Sequence, residues 1–203
     1  MTALWRGAQP LVLASRSASR RAMLEAAGLP IEVSVPDLDE RALEAAAGPL
    51  EPAKVAMLLA REKAKAIARE KPGRLVVGAD QTLALGPRRF DKPRDVEAAR
   101  AQLEALSANT HQLHSAVAVV RDQEVLLDAV DTASLTMRPL SEAFLDAYFA
   151  TAGAAVRESV GAYQLEKLGI HLFARIEGDH FTILGLPLLP LIAFLRKAGC
   201  LVE

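Results

Sequence analysis

The chain has 203 residues, of which 51% are hydrophobic, so it can bury a core as one domain or as one domain with two lobes. Its formal net charge of −1 excludes the strong overall positive field that is typical of nucleic-acid-binding proteins. The single cysteine, Cys200, excludes an intramolecular disulfide, and no stretch has the length and apolar character of a membrane span. We therefore expect a soluble cytoplasmic protein that binds neither nucleic acid nor membrane.

The first part of the chain alternates predicted strands and helices. Short apolar runs bounded by Gly or Pro predict buried strands, and helical spacing of apolar residues predicts helices. Gly28 is a natural helix end, and Pro52 is acceptable in a first helical turn. The predicted elements are a strand over 11–14, a helix over 20–27, a strand over 31–35, an acidic loop over 36–40, a helix over 51–70 and a strand over 75–80.

The remainder of the chain predicts hairpins and three more helices. Asp95 and Ser141 are good helix caps, and Gly199 is a natural helix end. The predicted elements are a turn over 86–89, a helix to about 106, strands near 113–120 and 124–137, a helix to about 152, a hairpin of 170–176 with 180–184, and a helix over 186–199. The middle strands are expected to be antiparallel, which favours a mixed α/β (α+β) fold around a mixed sheet.

Three serines and three arginines follow the first predicted strand, where the next helix begins. In the stretch LASRSASRR, Ser15, Ser17 and Ser19 supply hydroxyls, and Arg20 and Arg21 supply positive charge. Because a helix N-terminus also presents free N–H groups, this combination favours a phosphate site. The alternative is that one serine caps the helix and the arginines are solvated, and the stretch alone does not separate the two readings.

Carboxylates follow two predicted strands. Asp80 ends the run LVVGAD, and Asp37, Asp39 and Glu40 follow the second strand. Oxygen ligands from two such places can hold Mg²⁺ together with substrate phosphates. The alternative for the acidic loop is a solvated turn.

Two lysines are ambiguous from the sequence. Lys63 lies in a predicted helix with other lysines, which mostly form the solvated face of such helices. Lys92 precedes Pro93 in a turn, where a phosphate contact and a free surface charge are both compatible with the sequence. The four histidines have no metal-ligand spacing.

Together these segments resemble the Maf family of nucleotide pyrophosphatases. The resemblance covers about residues 11–195 and is carried, in order, by LASRSASRRAML, GADQTLAL, DKPRDVEAARAQLEALS, VGAYQLEKLGIHLF and GLPLLPL. The chain departs from the family pattern at Ala18, where Pro is usual, at Asp91, where Gly or Glu is common, and at Ala108, where Gly is usual. None of these departures removes a charged position of the candidate site.

The resemblance implies a fold and an activity. The fold is a single domain over residues 1–203, with two lobes, a long mixed sheet and a deep cleft, related to inosine triphosphate pyrophosphatase. The activity is hydrolysis of a nucleoside triphosphate to the monophosphate and pyrophosphate with a divalent cation, Mg²⁺ or Mn²⁺. A homodimer is implied by the resemblance only. The implied site residues are Ser15, Arg20 and Arg21 for phosphate, Glu40 and Asp80 for metal and water, and Lys63 and Lys92 for the triphosphate.

Two positions bear on the substrate. Gln81 and Glu166 resemble the family branch that acts on 7-methyl-GTP rather than the branch that prefers dTTP and UTP. Asp80 is a candidate catalytic residue, either as a general base or as a metal ligand, and the sequence does not separate these roles. The family is also associated with arrest of septum formation, so a nucleotide-sensing or partner-binding regulator is the rival function.

Overall fold

The computed structural model describes residues 4–202, in which it contains seven β-strands and seven α-helices. The strands are β1 (Leu11–Ala14), β2 (Ile31–Val33), β3 (Val76–Leu85), β4 (Arg88–Phe90), β5 (Thr110–Arg121), β6 (Glu124–Met137) and β7 (Phe173–Glu177). The helices are α1 (Ala18–Ala26), α2 (Glu40–Ala47), α3 (Pro52–Glu70), α4 (Val96–Leu106), α5 (Glu142–Ala152), α6 (His180–Ile183) and α7 (Leu188–Lys197).

All seven strands belong to one mixed sheet with the order β2-β1-β3-β5-β6-β7, and β4 pairs with β3. β1 is parallel to both β2 and β3, whereas β4 and β7 are antiparallel to their partners β3 and β6. β5 and β6 are joined at Asp122 and Gln123, whose φ angles of 48° and 71° suit a tight hairpin turn. The predicted mixed α/β fold is confirmed.

The chain divides into two compact units. The first covers 4–81, 115–131 and 180–202 of the described residues, and the second covers 82–114 and 132–179. The expected single two-lobed domain and its deep cleft stay predictions.

β1 is the centre of the first unit, and all four of its residues are buried. Leu11 and Leu13 pack with Leu24 of α1 and Leu191 of α7. Val12 and Ala14 pack instead with apolar residues of α3. Because successive side chains of a strand point to opposite faces, a strand covered by helices on both sides is apolar at every position. This is why LVLA reads as a continuous apolar run.

Two sequence predictions are wrong. The acidic loop does not extend through Glu40, because Asp39 caps α2 by accepting a hydrogen bond from the Ala42 N–H, and Glu40 begins that helix. Residues 180–184 do not form a strand of a second hairpin, because 180–183 are the short helix α6. The Phe, Thr and Ile of that segment favour a strand, but tertiary contacts decide its conformation.

Two predicted helix caps are confirmed, and the bounds of one predicted strand and one predicted turn are corrected. Asp95 and Ser141 cap α4 and α5 through side-chain hydrogen bonds, as their positions predict. β3 continues five residues beyond its predicted end at Asp80, and the predicted turn over 86–89 is too long because Arg88 already begins β4, which pairs with β3. No helix within residues 4–202 combines the length and apolar character that crossing a membrane would require.

Candidate active site

The centre of the candidate site is one lysine held between two carboxylates, all in the first unit. The Lys63 Nζ atom lies 2.6 Å from Asp80 Oδ1 and 2.9 Å from Glu40 Oε1. The Lys63 and Asp80 side chains are each only 11% exposed, whereas the Glu40 side chain is 46% exposed. A charge pair of this burial is costly to form and persists only where its partners satisfy it, which is a frequent property of functional sites.

The fold explains why these residues meet. Lys63 follows Ala56 and Ala60 on the buried face of α3, which packs on the sheet. Asp80 lies in β3 just beyond Gly78, the last residue that pairs with β1. Gly78 permits the close approach of α3, since a Cβ atom there would lie 2.1 Å from the Ala60 carbonyl oxygen. Lys63 is therefore not on the solvated face of its helix.

Burial raises the pKa of the Asp80 carboxyl, and the nearby charge of Glu40 raises it further. The positive charges of Lys63 and Arg20 oppose this shift. A carboxylate whose pKa is moved toward neutrality is a better proton acceptor than a solvated one. The environment of Asp80 is thus suited to acid–base chemistry.

Arg20 is fixed beside Asp80 by three hydrogen bonds. Its Nε donates to the Gly185 carbonyl and its Nη1 donates to the Ala79 carbonyl, each at a distance of 2.8 Å. Nη1 also donates to Ser15 Oγ at 3.3 Å. Burial lowers the pKa of Arg20, while the carboxylates of Asp80 and Glu40 oppose that shift. A guanidinium remains charged at neutral pH, so a fixed cation lies beside the carboxylates.

The serines of the opening motif have different roles. Ser17 caps α1, because its side chain accepts from the Arg20 N–H. Ser15 is buried, and its Oγ accepts from the Ser17 N–H. Ser19 donates from Oγ to the Leu184 carbonyl over 3.2 Å. The prediction that one serine caps the helix is therefore correct for Ser17. The prediction of a solvated side chain is wrong for Arg20, which is bonded to two backbone carbonyls.

Arg21 lies outside this cluster. Its Nε donates to Glu25 Oε1 over 2.8 Å on the surface of α1, and 59% of its side chain is exposed. Its predicted phosphate contact stays a prediction, as do the triphosphate contact of Lys92 and the contact of Glu166 with the base. Both of these residues are exposed and belong to the second unit.

The side-chain amide of Gln81 is held by three hydrogen bonds within the first unit. Its Nε2 donates to Ser115 Oγ over 2.9 Å, to the Thr182 carbonyl over 3.1 Å and to the Ile183 carbonyl over 3.0 Å. These three acceptors satisfy the N–H groups of the amide, so the amide oxygen is the atom that remains for other contacts.

A divalent cation is compatible with this donor set only with help from substrate. Within residues 4–202 no group of three or more His, Cys, Asp and Glu residues could hold a metal ion. Glu40 and Asp80 both contact the same ammonium through one oxygen each, so each has a second carboxylate oxygen. Mg²⁺ is often held by one or two carboxylates with water and phosphate oxygens, and these two residues fit that pattern.

Sequence reasoning missed several groups that position the site residues. The carbonyls of Ala79 and Gly185 hold Arg20, and Ser115 and Thr182 hold Gln81. Gly185 carried a signal, because a glycine after an apolar segment often marks a special backbone conformation, and its φ is +99°. Carbonyl groups are common to all residues, so the sequence holds no sign of the contacts of Ala79 and Thr182, and nothing in it separates Ser115 from the other serines.

The geometry combines two cations, two carboxylates and a serine hydroxyl in one part of the first unit. Such a set can bind an anionic group through Arg20 and Lys63 and accept a proton at Asp80. This chemistry is suited to a phosphorylated substrate.

Comparison with known proteins agrees with this interpretation. The family model of Maf-like proteins matches residues 10–198. The chain belongs to the Maf family. A "Nucleoside triphosphate pyrophosphatase" of Bradyrhizobium diazoefficiens is 58% identical over 194 residues, covering 96% of each chain. A protein of the same name from Rhodopseudomonas palustris is 54% identical and covers 98% of each chain. A "7-methyl-GTP pyrophosphatase" of Rhizobium meliloti is 51% identical and covers 94% of this Maf protein and 97% of the relative.

Proposed function

We propose that this Maf-family protein is a nucleoside triphosphate pyrophosphatase. It adds water to the α-phosphorus of its substrate and releases a nucleoside monophosphate and pyrophosphate. The observation that carries the proposal is the buried Lys63 ammonium shared by Asp80 and Glu40, beside the fixed guanidinium of Arg20. The names of the relatives from Bradyrhizobium and Rhodopseudomonas support the same activity.

Arg20, Lys63 and Ser15 bind the phosphates. The three hydrogen bonds of Arg20 use Nε and Nη1, so Nη2 is the group that donates to a phosphate oxygen. Because the guanidinium is already fixed, little side-chain entropy is lost when the substrate binds. Lys63 is a compact point charge that can move from one carboxylate toward phosphate.

Asp80 accepts a proton from the attacking water. As the water oxygen bonds to the α-phosphorus, the bond from that phosphorus to the bridging oxygen breaks, and its electron pair leaves with pyrophosphate. The positive charges of Arg20 and Lys63 stabilise the charge that develops on the departing group. Partial burial of this cluster makes these interactions stronger than they would be in water.

Glu40 and Asp80 are the residues that would hold a divalent cation, Mg²⁺ or Mn²⁺. When bound, the cation supplies charge neutralisation at the phosphates and lowers the pKa of water. Each of the two residues would offer the carboxylate oxygen that does not contact Lys63, and Asp80 would then hold the cation instead of accepting the proton.

The preferred substrate is 7-methyl-GTP or another modified purine triphosphate. Gln81 and Glu166 support this preference through their resemblance to the 7-methyl-GTP branch, and so does the name of the Rhizobium meliloti relative. A carboxylate at position 166 can accept from the N1–H and N2 amine of guanine and complements the positive charge of a 7-methylated ring. It repels the O4 acceptor of thymine or uracil, which disfavours dTTP and UTP. Cytoplasmic location and dimerisation stay predictions.

The test is a panel of 7-methyl-GTP, GTP, dTTP and UTP at equal concentration with Mg²⁺ or Mn²⁺, assayed for pyrophosphate and for orthophosphate. We expect pyrophosphate release to be fastest from 7-methyl-GTP, and Glu166→Gln to narrow its lead over UTP because an amide can donate to O4. Faster release from dTTP or UTP by the unaltered protein would contradict the substrate preference. Tight nucleotide binding without pyrophosphate release would contradict the enzymatic function and favour the regulatory one.

A further inference from the structure

Four successive backbone carbonyls, two in the last residues of α6 and two directly after it, accept hydrogen bonds from side chains of the candidate site. We call residues 182–185 the carbonyl segment. Gln81 Nε2 donates to the carbonyls of Thr182 and Ile183, and Ser19 Oγ and Arg20 Nε donate to the next two, at 184 and 185. All of these residues belong to the first unit. The position of Arg20 therefore depends on where this segment lies.

Ser115 holds the carbonyl segment from the side of β5. It is fully buried, and its Oγ donates to the Thr182 carbonyl over 2.7 Å. A hydroxyl has a single proton, so the bond to Thr182 leaves its oxygen as the acceptor for Gln81 Nε2, 2.9 Å away. The Thr182 side chain is fixed as well, because its Oγ1 donates to Asp131 Oδ2 over 2.9 Å. Ser115 thus connects Gln81 and the carbonyl segment in one network.

The segment has a conformation that needs such support. Gly185 has a φ of +99°, in the region that favours glycine, and its carbonyl accepts from Arg20 Nε over 2.8 Å. A Cβ atom at this position would lie 3.6 Å from both Arg20 Nε and Gln81 Oε1. The backbone here is close to the guanidinium, so a small displacement of the segment displaces the cation.

We propose that Ser115 is a positioning residue for Arg20. Its hydroxyl holds the Thr182 carbonyl and the Gln81 amide, which fix the segment so that the Gly185 carbonyl directs the guanidinium toward the phosphates. The proposal rests on the proposed function, because its consequence is a change in phosphate binding and turnover. Misplacement of a binding group by about 1 Å can reduce activity by about 10²-fold, so loss of one supporting hydroxyl should cost roughly tenfold.

The experiment is a double-mutant cycle on kcat/KM for pyrophosphate release. Ser115→Ala removes the hydroxyl, and Arg20→Lys keeps a cation but removes the Nε–H that reaches Gly185. We expect Ser115→Ala to lower kcat/KM about tenfold in the unaltered protein and to have almost no further effect beside Arg20→Lys. Ser107→Ala is the matched control, since it deletes a hydroxyl that accepts from the Leu140 N–H in the second unit, and it should leave kcat/KM unchanged.

Equal losses from Ser115→Ala in both backgrounds would overturn the proposal, because the hydroxyl would then act independently of Arg20. If Ser115→Ala does not fold, Ser115→Cys enters the same cycle, since its thiol fills the space and is only a weak donor. Ser115→Cys must likewise lower kcat/KM in the unaltered protein and have almost no further effect in the Arg20→Lys protein.

Failure of the proposed function is recognised separately, because the unaltered protein would then release no pyrophosphate from any triphosphate. In that case the same cycle is measured by calorimetry with inorganic pyrophosphate as the ligand. Coupling between the two substitutions in pyrophosphate binding supports the positioning role, and additive effects overturn it.

Discussion

His111 should make the stability of the protein depend on pH. The side chain is fully buried in β5, and its Nε2 lies 2.7 Å from the Tyr163 hydroxyl. Burial lowers the pKa of His111 from 6.5 to about 4. The unfolded chain therefore binds a proton at mildly acidic pH that the folded chain does not bind, so the free energy of unfolding falls as the pH is lowered from about 6.5 toward 4.

The magnitude follows from the two pKa values. Above pH 7 His111 is neutral in both states and contributes no pH dependence. At pH 4.5 the unfolded state is almost fully protonated and the folded state only partly, which corresponds to a loss of about 2.5 kcal/mol relative to pH 7.5. The loss continues toward about 3 kcal/mol at still lower pH.

The assay is urea unfolding at pH 7.5 and pH 4.5 of the unaltered protein and of His111→Gln. Other titrating groups affect both proteins alike, so the difference between their pH dependences isolates His111. We expect the unaltered protein to lose about 2.5 kcal/mol more than His111→Gln over this range. His171→Gln is the control for replacing a histidine by glutamine, because this histidine is exposed. Parallel pH dependences of His111→Gln and the unaltered protein would refute the reasoning.

Two further predictions concern neighbouring arginines and a glycine. Arg20→Ala should lower kcat/KM by about 10²-fold, since a fixed cation at the phosphates is lost. Arg21→Ala should lower kcat/KM less than Arg20→Ala does and alter stability by less than about 0.5 kcal/mol, because its pair with Glu25 is exposed. Both variants are assayed for kcat/KM and for urea unfolding. A larger loss of kcat/KM in Arg21→Ala than in Arg20→Ala would contradict this prediction. Gly78→Ala should cost about 3 kcal/mol or more in urea unfolding, since α3 would have to move away from β3; a loss below about 1 kcal/mol would count against the close approach.

The local structure of the chain was largely predictable because it depends on short-range rules. The caps Asp95 and Ser141 and the helix end at Gly28 use side-chain and backbone chemistry that is visible in a few residues. The helix start at Glu40 was missed because Asp39 reads equally well as a loop residue and as a cap. Residues 180–183 were predicted as strand because their composition outweighed contacts from distant parts of the chain.

The candidate site was predictable in its charges but not in its arrangement. Asp80 and Arg20 stood out through residue type and position, yet nothing separates Arg20 from Arg21 until the contacts with the Ala79 and Gly185 carbonyls are seen. The burial of Lys63 can be predicted from its position in α3. Lys63 shares the buried face of α3 with a row of alanines, so a solvated role was the weaker interpretation.

The proposed function depends most directly on Asp80. Its test is the rate of pyrophosphate release from 7-methyl-GTP by the unaltered protein and by Asp80→Asn, with matching circular dichroism spectra confirming that both are folded. Loss of a general base or metal ligand should lower turnover by about 10²-fold or more, while pyrophosphate remains the product of the unaltered protein. Near-normal pyrophosphate release by folded Asp80→Asn would contradict the account.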